Sequence, residues 1–218
     1  MLQFRKSIHP NKTNSQNTAL ESQAPPEKLK NSPDASVGIA GFLDVETTGF
    51  SPVSDEVVEF ALCLFEFRRD TGEITGIVDQ YVGLREPVKS IPRAASRVHG
   101  IYQNDVRGKR LDHSRIEAML HRAEFLVAHN ASFDRGFVAQ LFPICGKKPW
   151  LCSMRGINWK KKGFASAALQ KLLEAHQINV QRAHRADDDV KAAIKLLAQF
   201  DKNGKIYFQE LLEKHQAI

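Results

Sequence analysis

The most constraining feature of this sequence is an unbroken apolar run that ends directly in two acids. The run covers residues 39–43, and Asp44 and Glu46 follow it. A run without alternating polar residues is typical of a central strand that is covered on both faces. Side chains two apart on a strand point the same way, so both carboxylates would lie side by side. Alternatively, the acids only mark a polar strand end before a Thr-Thr-Gly turn.

By composition, the chain divides into a tail and one domain. Residues 1–37 are rich in Asn, Ser, Gln, Pro and Lys and have no sustained apolar period. Such a segment buries too little apolar surface to offset the entropy of ordering. We therefore predict a disordered polar tail over residues 1–37 and a single domain over residues 38–218.

The patterns that follow predict a mixed α/β domain. Strand-like runs at 57–67 and 74–84 flank the turn-forming segment 70–72 and predict an antiparallel hairpin. Further helices are expected before His99 and at 114–123, 132–141, 165–176, 185–200 and 205–216, with strands at 124–129 and 150–153. The expected fold class is α/β, with a central sheet whose first three strands are antiparallel and with flanking helices.

Charge, cysteine count and hydropathy exclude several classes of protein. Outside the tail, 26 Lys and Arg stand against 22 Asp and Glu, a net of +4 that mildly favours a polyanionic partner. Three cysteines without a C-x-x-C pair argue against a disulfide framework or a cysteine zinc site and favour a cytoplasmic setting. No apolar run approaches the roughly 18 residues of a membrane helix, so we expect no membrane contact.

A further acid, Asp134, lies in the first turn of the helix predicted at 132–141. Ser132 is a candidate N-cap, and an acid near it suits the helix dipole, which is the simplest explanation. However, Asp134 shares its helix face with Val138 and Leu141 and should therefore point toward the interior. A carboxylate in such a place needs a partner.

Three consecutive acids open the helix predicted at 185–200. The helix dipole is a sufficient explanation for Asp187 and Asp188. Asp189 differs because it lies on the apolar stripe of the helix, where an unneutralised charge is expensive. With Asp44, Glu46 and Asp134, it makes four interior carboxylates, an arrangement suited to two divalent ions.

These segments, in this order, resemble the three motifs of the DEDDh exonucleases, a superfamily that includes epsilon-like proofreading subunits and RNase T-like enzymes. Residues 44–49 resemble the first motif, 130–134 the second and 184–189 the third. The resemblance covers residues 38–200 and implies an RNase H-like fold. One departure is Asp187, which stands where the family often has an apolar residue.

The resemblance implies hydrolysis that is assisted by two Mg²⁺ or Mn²⁺ ions. Asp44 would bridge both ions, Glu46 and Asp189 would hold the first, and Asp134 would steady the second. Two ions about 4 Å apart can stabilise the attacking and leaving oxygens of an in-line displacement. His184, which by itself would more commonly be an ordinary surface or core residue, would take the proton from the attacking water.

The resemblance also suggests which residues contact the substrate. They are Thr47, Thr48, Phe50, His99, Asn130 and Phe133. The first three would frame the terminal sugar and base, His99 would lie beside the terminal nucleotide, and Asn130 would brace the second motif. Trp159 and the lysines at 160–162 have the character of a base-stacking segment, although a solvated loop with one anchoring Trp is the commoner arrangement.

The sequence therefore predicts a metal-dependent 3′→5′ exonuclease that releases nucleoside monophosphates, with single-stranded DNA as the expected substrate. The direction and the DNA preference come from the resemblance alone, and an exoribonuclease would use the same chemistry. A non-catalytic nucleic-acid-binding or polymerase-accessory module is a third alternative, although it would have no reason to keep buried charge. The tail at 1–37 could bind a polymerase or another protein.

Overall fold

The computed structural model describes residues 35–180 and 183–216, so most of the predicted tail lies outside the described residues. The strands are β1 (Val37–Thr47), β2 (Val57–Arg68), β3 (Ile74–Leu84), β4 (Leu126–Ala128) and β5 (Trp150–Cys152). The helices are α1 (Arg93–His99), α2 (Gln103–Val106), α3 (His113–Arg122), α4 (Ala131–Leu141), α5 (Pro143–Lys147), α6 (Ser153–Gly156), α7 (Leu169–Ala175), α8 (Ala186–Leu197) and α9 (Tyr207–Gln216).

The strands form one mixed sheet in the order β3-β2-β1-β4-β5. The pairs β1–β2 and β2–β3 are antiparallel, and the pairs β1–β4 and β4–β5 are parallel. The predicted α/β class and the three antiparallel strands at the start are thus confirmed. Gly72 has a φ of 69° in the β2–β3 turn, a left-handed conformation that favours glycine.

Apolar side chains of β1 alternate between two cores on opposite faces of the sheet. Phe42 packs with residues of α7, α8 and α9 on one face, whereas Leu43 packs with α3, α4 and α5 on the other. Covering both faces explains why residues 39–43 are apolar without interruption. Asp44 and Glu46 point to the same face of β1 as Phe42. They therefore lie near the end of the strand on the side that α8 covers.

Several element boundaries differ from the sequence prediction. The described residues include three helices of four or five residues that the pattern did not indicate, α2, α5 and α6. The helix expected from residue 165 begins only at Leu169. The prediction that Ser132 caps α4 is wrong, because the helix begins at Ala131 with Asn130 as N-cap and no side-chain cap bond. Short helices and helix ends carry little periodic signal.

No helix within residues 35–180 and 183–216 has the length and apolar character that crossing a membrane requires.

Candidate active site

The four predicted carboxylates are brought together at the carboxyl end of β1. Asp44 and Glu46 come from β1 itself, and Asp189 from the first turn of α8, which packs across β1 and β2. Ligand oxygens of these three residues all lie within 4.8 Å of one another. Asp134 comes from the first turn of α4 and is buried, with an exposed fraction of 3%. Three separate segments thus build one acidic cluster.

Asp134 belongs to the same electrostatic group as the other three acids. Burial is the largest cause of the raised pKa of Asp44, and the charge of Asp134 is the second largest. The backbone N–H groups of Asp134 itself and of Val45 lie near its carboxylate and oppose the rise of its own pKa. The start of α4 lies against β1, so the second sequence segment faces the first.

The cluster strongly disfavours its own charge. Burial, together with the neighbouring acids, raises the pKa of Asp44 well above its ordinary value and that of Glu46 to about 8. Burial raises the pKa of Asp134 to about 7, and burial also raises the pKa of Asp189. Carboxylates that must be ionised together in such a place need a compensating cation. Oxygen ligands at this spacing are the donor set that Mg²⁺ and Mn²⁺ prefer.

Asp189 is held by two hydrogen bonds, one on each carboxylate oxygen. Gln170 of α7 donates from Nε2 to Oδ1 at 2.8 Å, and the backbone N–H of His184 donates to Oδ2 at 3.1 Å. Asp187 instead pairs with Lys191 one turn along the helix at 2.8 Å, and Asp188 is only partly buried. The helical-face argument that separated Asp189 from its two acidic neighbours is consistent with this burial.

His184 lies at the rim of the cluster. Its side chain is exposed, and its charge lowers the pKa of the adjacent Asp189. The residue has a φ of 60°, which is uncommon for a residue other than glycine and marks a sharp turn before α8. This position borders the acids rather than joining them.

A pocket of about 460 Å³ opens beside Glu46. Five of the six predicted substrate residues line it: Thr47, Thr48, Phe50, His99 and Phe133. Phe50 is 90% exposed at the tip of the loop after β1. The loop is held by Asp55, which accepts hydrogen bonds from the Ser51 backbone and the Thr48 hydroxyl. Gly49 packs against that carboxylate so closely that a Cβ there would lie 2.5 Å away.

Thr47 and His99 contribute to the pocket in different ways. The Thr47 hydroxyl donates to the Gly49 carbonyl at 2.6 Å, so it stabilises the loop. His99 ends α1 and is 3% exposed; its Nδ1 accepts the Ile101 N–H at 3.0 Å. The proton must then lie on Nε2, which has no hydrogen-bond partner among the described residues. Within the part of the chain that the structure describes, the pocket therefore contains a buried donor whose acceptor could come from a ligand.

Two other sequence predictions have different outcomes. Asn130 does not line the pocket; it precedes α4, and its Oδ1 is buried without a partner within the described part of the chain. Trp159 is 3% exposed and donates to the Ser153 carbonyl, so it cannot stack on a base. Lys162 is likewise engaged, in ion pairs with Asp201 and Glu210. The commoner arrangement, a loop anchored by one Trp, is the one observed.

Sequence reasoning missed the residues that surround the acids. Glu59 of β2 is 1% exposed and pairs with Arg185, which directly precedes α8. Gln170 was also missed. The only sequence signal for Glu59 was a single acid within the otherwise apolar run of residues 57–65, and its partner lies 126 residues further along the chain. The pairing cannot be read from local periodicity.

Comparison with known proteins agrees with this geometry. Residues 42–197 match the profile of the RNase T exonuclease family. The PolC-type DNA polymerase III of Thermotoga maritima is 29% identical over 185 residues, which cover 78% of this chain and 12% of that protein. The 3′-5′ exonuclease DinG of Bacillus subtilis is 28% identical over 179 residues, covering 79% of this chain and 17% of that protein.

The fold is shared with a solved nuclease structure. Exonuclease I of E. coli, in complex with a dA16 oligonucleotide, superposes with a TM-score of 0.57 at 20% sequence identity. The match covers 74% of this chain and 40% of that chain. It confirms the expected RNase H-like arrangement of a mixed sheet with flanking helices. Because the family profile extends over residues 42–197, most of the chain, this protein belongs to the RNase T exonuclease family.

Proposed function

We propose that this chain is a metal-dependent 3′→5′ exonuclease that removes nucleoside monophosphates from the 3′ ends of DNA. The observation that carries the proposal is the cluster of Asp44, Glu46 and Asp189, with oxygens within 4.8 Å, at the edge of a pocket for one terminal unit. The pocket volume of about 460 Å³ lies in the range of small-ligand sites, roughly 300–1,000 Å³. A site of this form accepts a chain end better than a chain interior.

The acids would hold two divalent ions. Asp44, which interacts electrostatically with the other three acids, would share both, Glu46 and Asp189 would hold one, and Asp134 would steady the other. When bound, such ions supply Lewis-acid stabilisation of the attacking and leaving oxygens. A non-catalytic module is a poorer account, because four carboxylates with raised pKa values destabilise a protein that makes no use of them.

The remaining steps fall to residues around the acids. His184, exposed at the rim, would accept the proton of the attacking water, and its exposure allows that proton to leave to solvent. His99, whose Nε2–H has no partner in the described part of the chain, would donate to an acceptor on the terminal nucleotide. Phe50 would stack on the terminal base from the open side of the pocket.

Single-stranded DNA is the substrate that we favour. The matched structure of E. coli exonuclease I holds a dA16 oligonucleotide, and the matched relatives are a DNA polymerase and a 3′-5′ exonuclease. The acids lie beside a pocket and not on an open face, so a duplex end would have to fray before its 3′ terminus could reach them. Association with a polymerase, through the N-terminal segment, would suit the PolC-type relative.

A gel assay tests the proposal. Single-stranded DNA, blunt duplex DNA and RNA of the same sequence, each labelled at the 5′ end, are incubated with Mg²⁺, Mn²⁺ or EDTA. We expect a progressive ladder shortened from the 3′ end, fastest on single-stranded DNA and absent in EDTA. Full-rate cleavage in EDTA, or no cleavage of any substrate with either metal, would overturn it. Faster loss of RNA would instead identify an exoribonuclease.

A further inference from the structure

Glu59 lies in an environment that should exclude a charge. It is 1% exposed within β2 and stands directly opposite Glu46 in the antiparallel pairing of β1 with β2. Its charge also contributes to the raised pKa values of Asp44 and Glu46. An additional buried acid beside the cluster makes the cluster harder to ionise, so its presence needs a compensating role.

The compensating contact is a fork from Arg185. Nε of Arg185 lies 3.0 Å from Oε2 of Glu59, and Nη2 lies 2.5 Å from Oε1. Oε2 also accepts the backbone N–H of Ala186 at 2.9 Å. Bidentate pairing of this kind fixes the orientation of both side chains and is stronger than a single neutral hydrogen bond. The carboxylate of Glu59 therefore keeps these hydrogen-bond partners only while residues 185–186 lie against β2.

The contact substitutes for a missing helix cap. Arg185 is the N-cap residue of α8 and makes no side-chain cap bond, so the first N–H groups of the helix lack a local acceptor. Glu59 supplies that acceptor from a neighbouring strand, with a negative charge that suits the helix N-terminus. Glu59 also holds Arg185, the residue after His184. His184 itself has a φ of 60°, a strained conformation that its surroundings must enforce.

The same turn positions Asp189. The carbonyl of Arg185 accepts the Asp189 N–H at 2.9 Å, which closes the first turn of α8. The N–H of His184 in turn donates to Oδ2 of Asp189. One buried carboxylate on β2 thus fixes the backbone on which both the proposed base and one proposed metal ligand stand.

We propose that Glu59 is a positioning residue that, through Arg185 and Ala186, sets the places of His184 and Asp189 relative to Asp44 and Glu46. It would contact neither substrate nor metal and would act only through the turn before α8. The inference rests on the proposed function, since the geometry to be set is that of the metal-binding acids.

Replacing Glu59 by Gln tests the inference, because it keeps the shape and removes the charge. Outer contacts of metal ligands typically cost 10- to 100-fold in metal affinity or activity when they are removed. We expect Glu59→Gln to weaken Mn²⁺ binding, measured by titration calorimetry, by about 10-fold or more and to lower kcat similarly. The KM for a single-stranded oligonucleotide should change little, because the pocket at 47–50 is untouched.

The matched control is Glu124→Gln. Glu124 also receives an arginine fork, from Arg69 at 2.7 Å for both bonds. However, it lies just before β4, where it accepts the Ile39 N–H near the start of β1. This variant should bind Mn²⁺ and turn over substrate like the unaltered protein. Equal Mn²⁺ affinity and kcat in Glu59→Gln and Glu124→Gln would overturn the inference.

A second variant decides the matter if Glu59→Gln fails to fold. Arg185→Lys keeps the charge, loses the fork and alters a side chain that is 26% exposed, so folding is less at risk. Loss of Mn²⁺ affinity and kcat in a folded Arg185→Lys supports the inference, and unchanged values overturn it. Failure of the unaltered protein to bind Mn²⁺ or degrade DNA would instead refute the proposed function, and with it this inference.

Discussion

Asp188 and Asp189 are neighbours in the chain, but only Asp189 is buried, and hydrogen bonds reach both of its carboxylate oxygens. We expect Asp189→Asn to lower kcat by more than about 100-fold, since even outer contacts of metal sites cost up to about that much. Asp188→Asn should retain most activity, because its side chain lies on the wetter side of α8. Initial rates on labelled single-stranded DNA measure both, and the reverse order would show that the wrong acid had been assigned.

The exposed position of His184 separates proton transfer from metal binding. A positioned general base contributes about 10²- to 10⁴-fold, so His184→Ala should lower kcat within that range. Mn²⁺ affinity should stay close to that of the unaltered protein, because the bond that His184 gives to Asp189 comes from its backbone. Single-turnover rates and Mn²⁺ calorimetry test this. A parallel loss of metal affinity would indicate that the imidazole is a ligand.

The sequence predicts those site residues whose burial follows from the apolar pattern of their own strand or helix. Asp44 and Glu46 follow from strand alternation, and Asp134 and Asp189 from their apolar helix faces. Glu59 does not, because the reason for its burial is an arginine brought to it only by the packing of α8 on β2. A role for His184 could be predicted only from the family resemblance, because a single exposed histidine belongs to no periodic pattern.

At the scale of elements, α1 presents two different faces. Ala95, Val98 and His99 line the pocket beside the acids, whereas Arg93 and Arg97 border a second pocket of about 440 Å³. Both arginines are exposed and make no ion pair with any described residue. Like charges one turn apart weaken a helix, which suits a surface that is neutralised from outside. Under the proposed function, we expect the strand behind the 3′ end to pass over this face of α1.

We therefore expect the double variant Arg93→Gln/Arg97→Gln to raise KM for single-stranded DNA with little change in kcat. Each lost phosphate contact should reduce the slope of log affinity against log salt by about 0.7. Binding of a fluorescent oligonucleotide, measured in Ca²⁺ at several salt concentrations, gives that slope. Lys195→Gln/Lys202→Gln removes equal charge from the last turn of α8 and the segment after it, and should leave the slope unchanged. Equal slopes in both double variants would contradict this path.

Element boundaries show where sequence patterns stop being informative. The β2–β3 hairpin was predictable because both strands are long and the Asp70-Thr71-Gly72 turn lies between them. Trp159 and the lysines at 160–162 suggested a nucleic-acid contact, but Lys162 forms ion pairs with Asp201 and Glu210. Those partners lie some 40 residues further along the chain, and no local pattern distinguishes a lysine with buried partners from a solvated one.

For the whole molecule, the acidic cluster makes stability depend on pH and metal. The folded protein keeps protons on Glu46 up to about pH 8 and on Asp134 up to about pH 7, whereas the unfolded chain releases them near their ordinary values of 4.5 and 3.8. The folded state therefore binds more protons in this range, and its stability falls as pH rises through the raised pKa values. Below about pH 6.5, the lowered pKa values of buried His99 and His129 act in the opposite direction.

Between pH 6.5 and 8.5 in EDTA, we accordingly expect the melting temperature to decrease. One proton of difference changes the free energy of unfolding by about 1.4 kcal/mol per pH unit, so Glu46 alone contributes on the order of 2 kcal/mol. Saturating Mg²⁺ should restore the melting temperature at pH 8.5, since it binds the ionised folded cluster. Glu46→Gln cannot release a proton and should flatten the pH dependence in EDTA. If both proteins lost stability in parallel, the cluster would not be the source of the effect, and the proposed demand for a cation would lose its electrostatic basis.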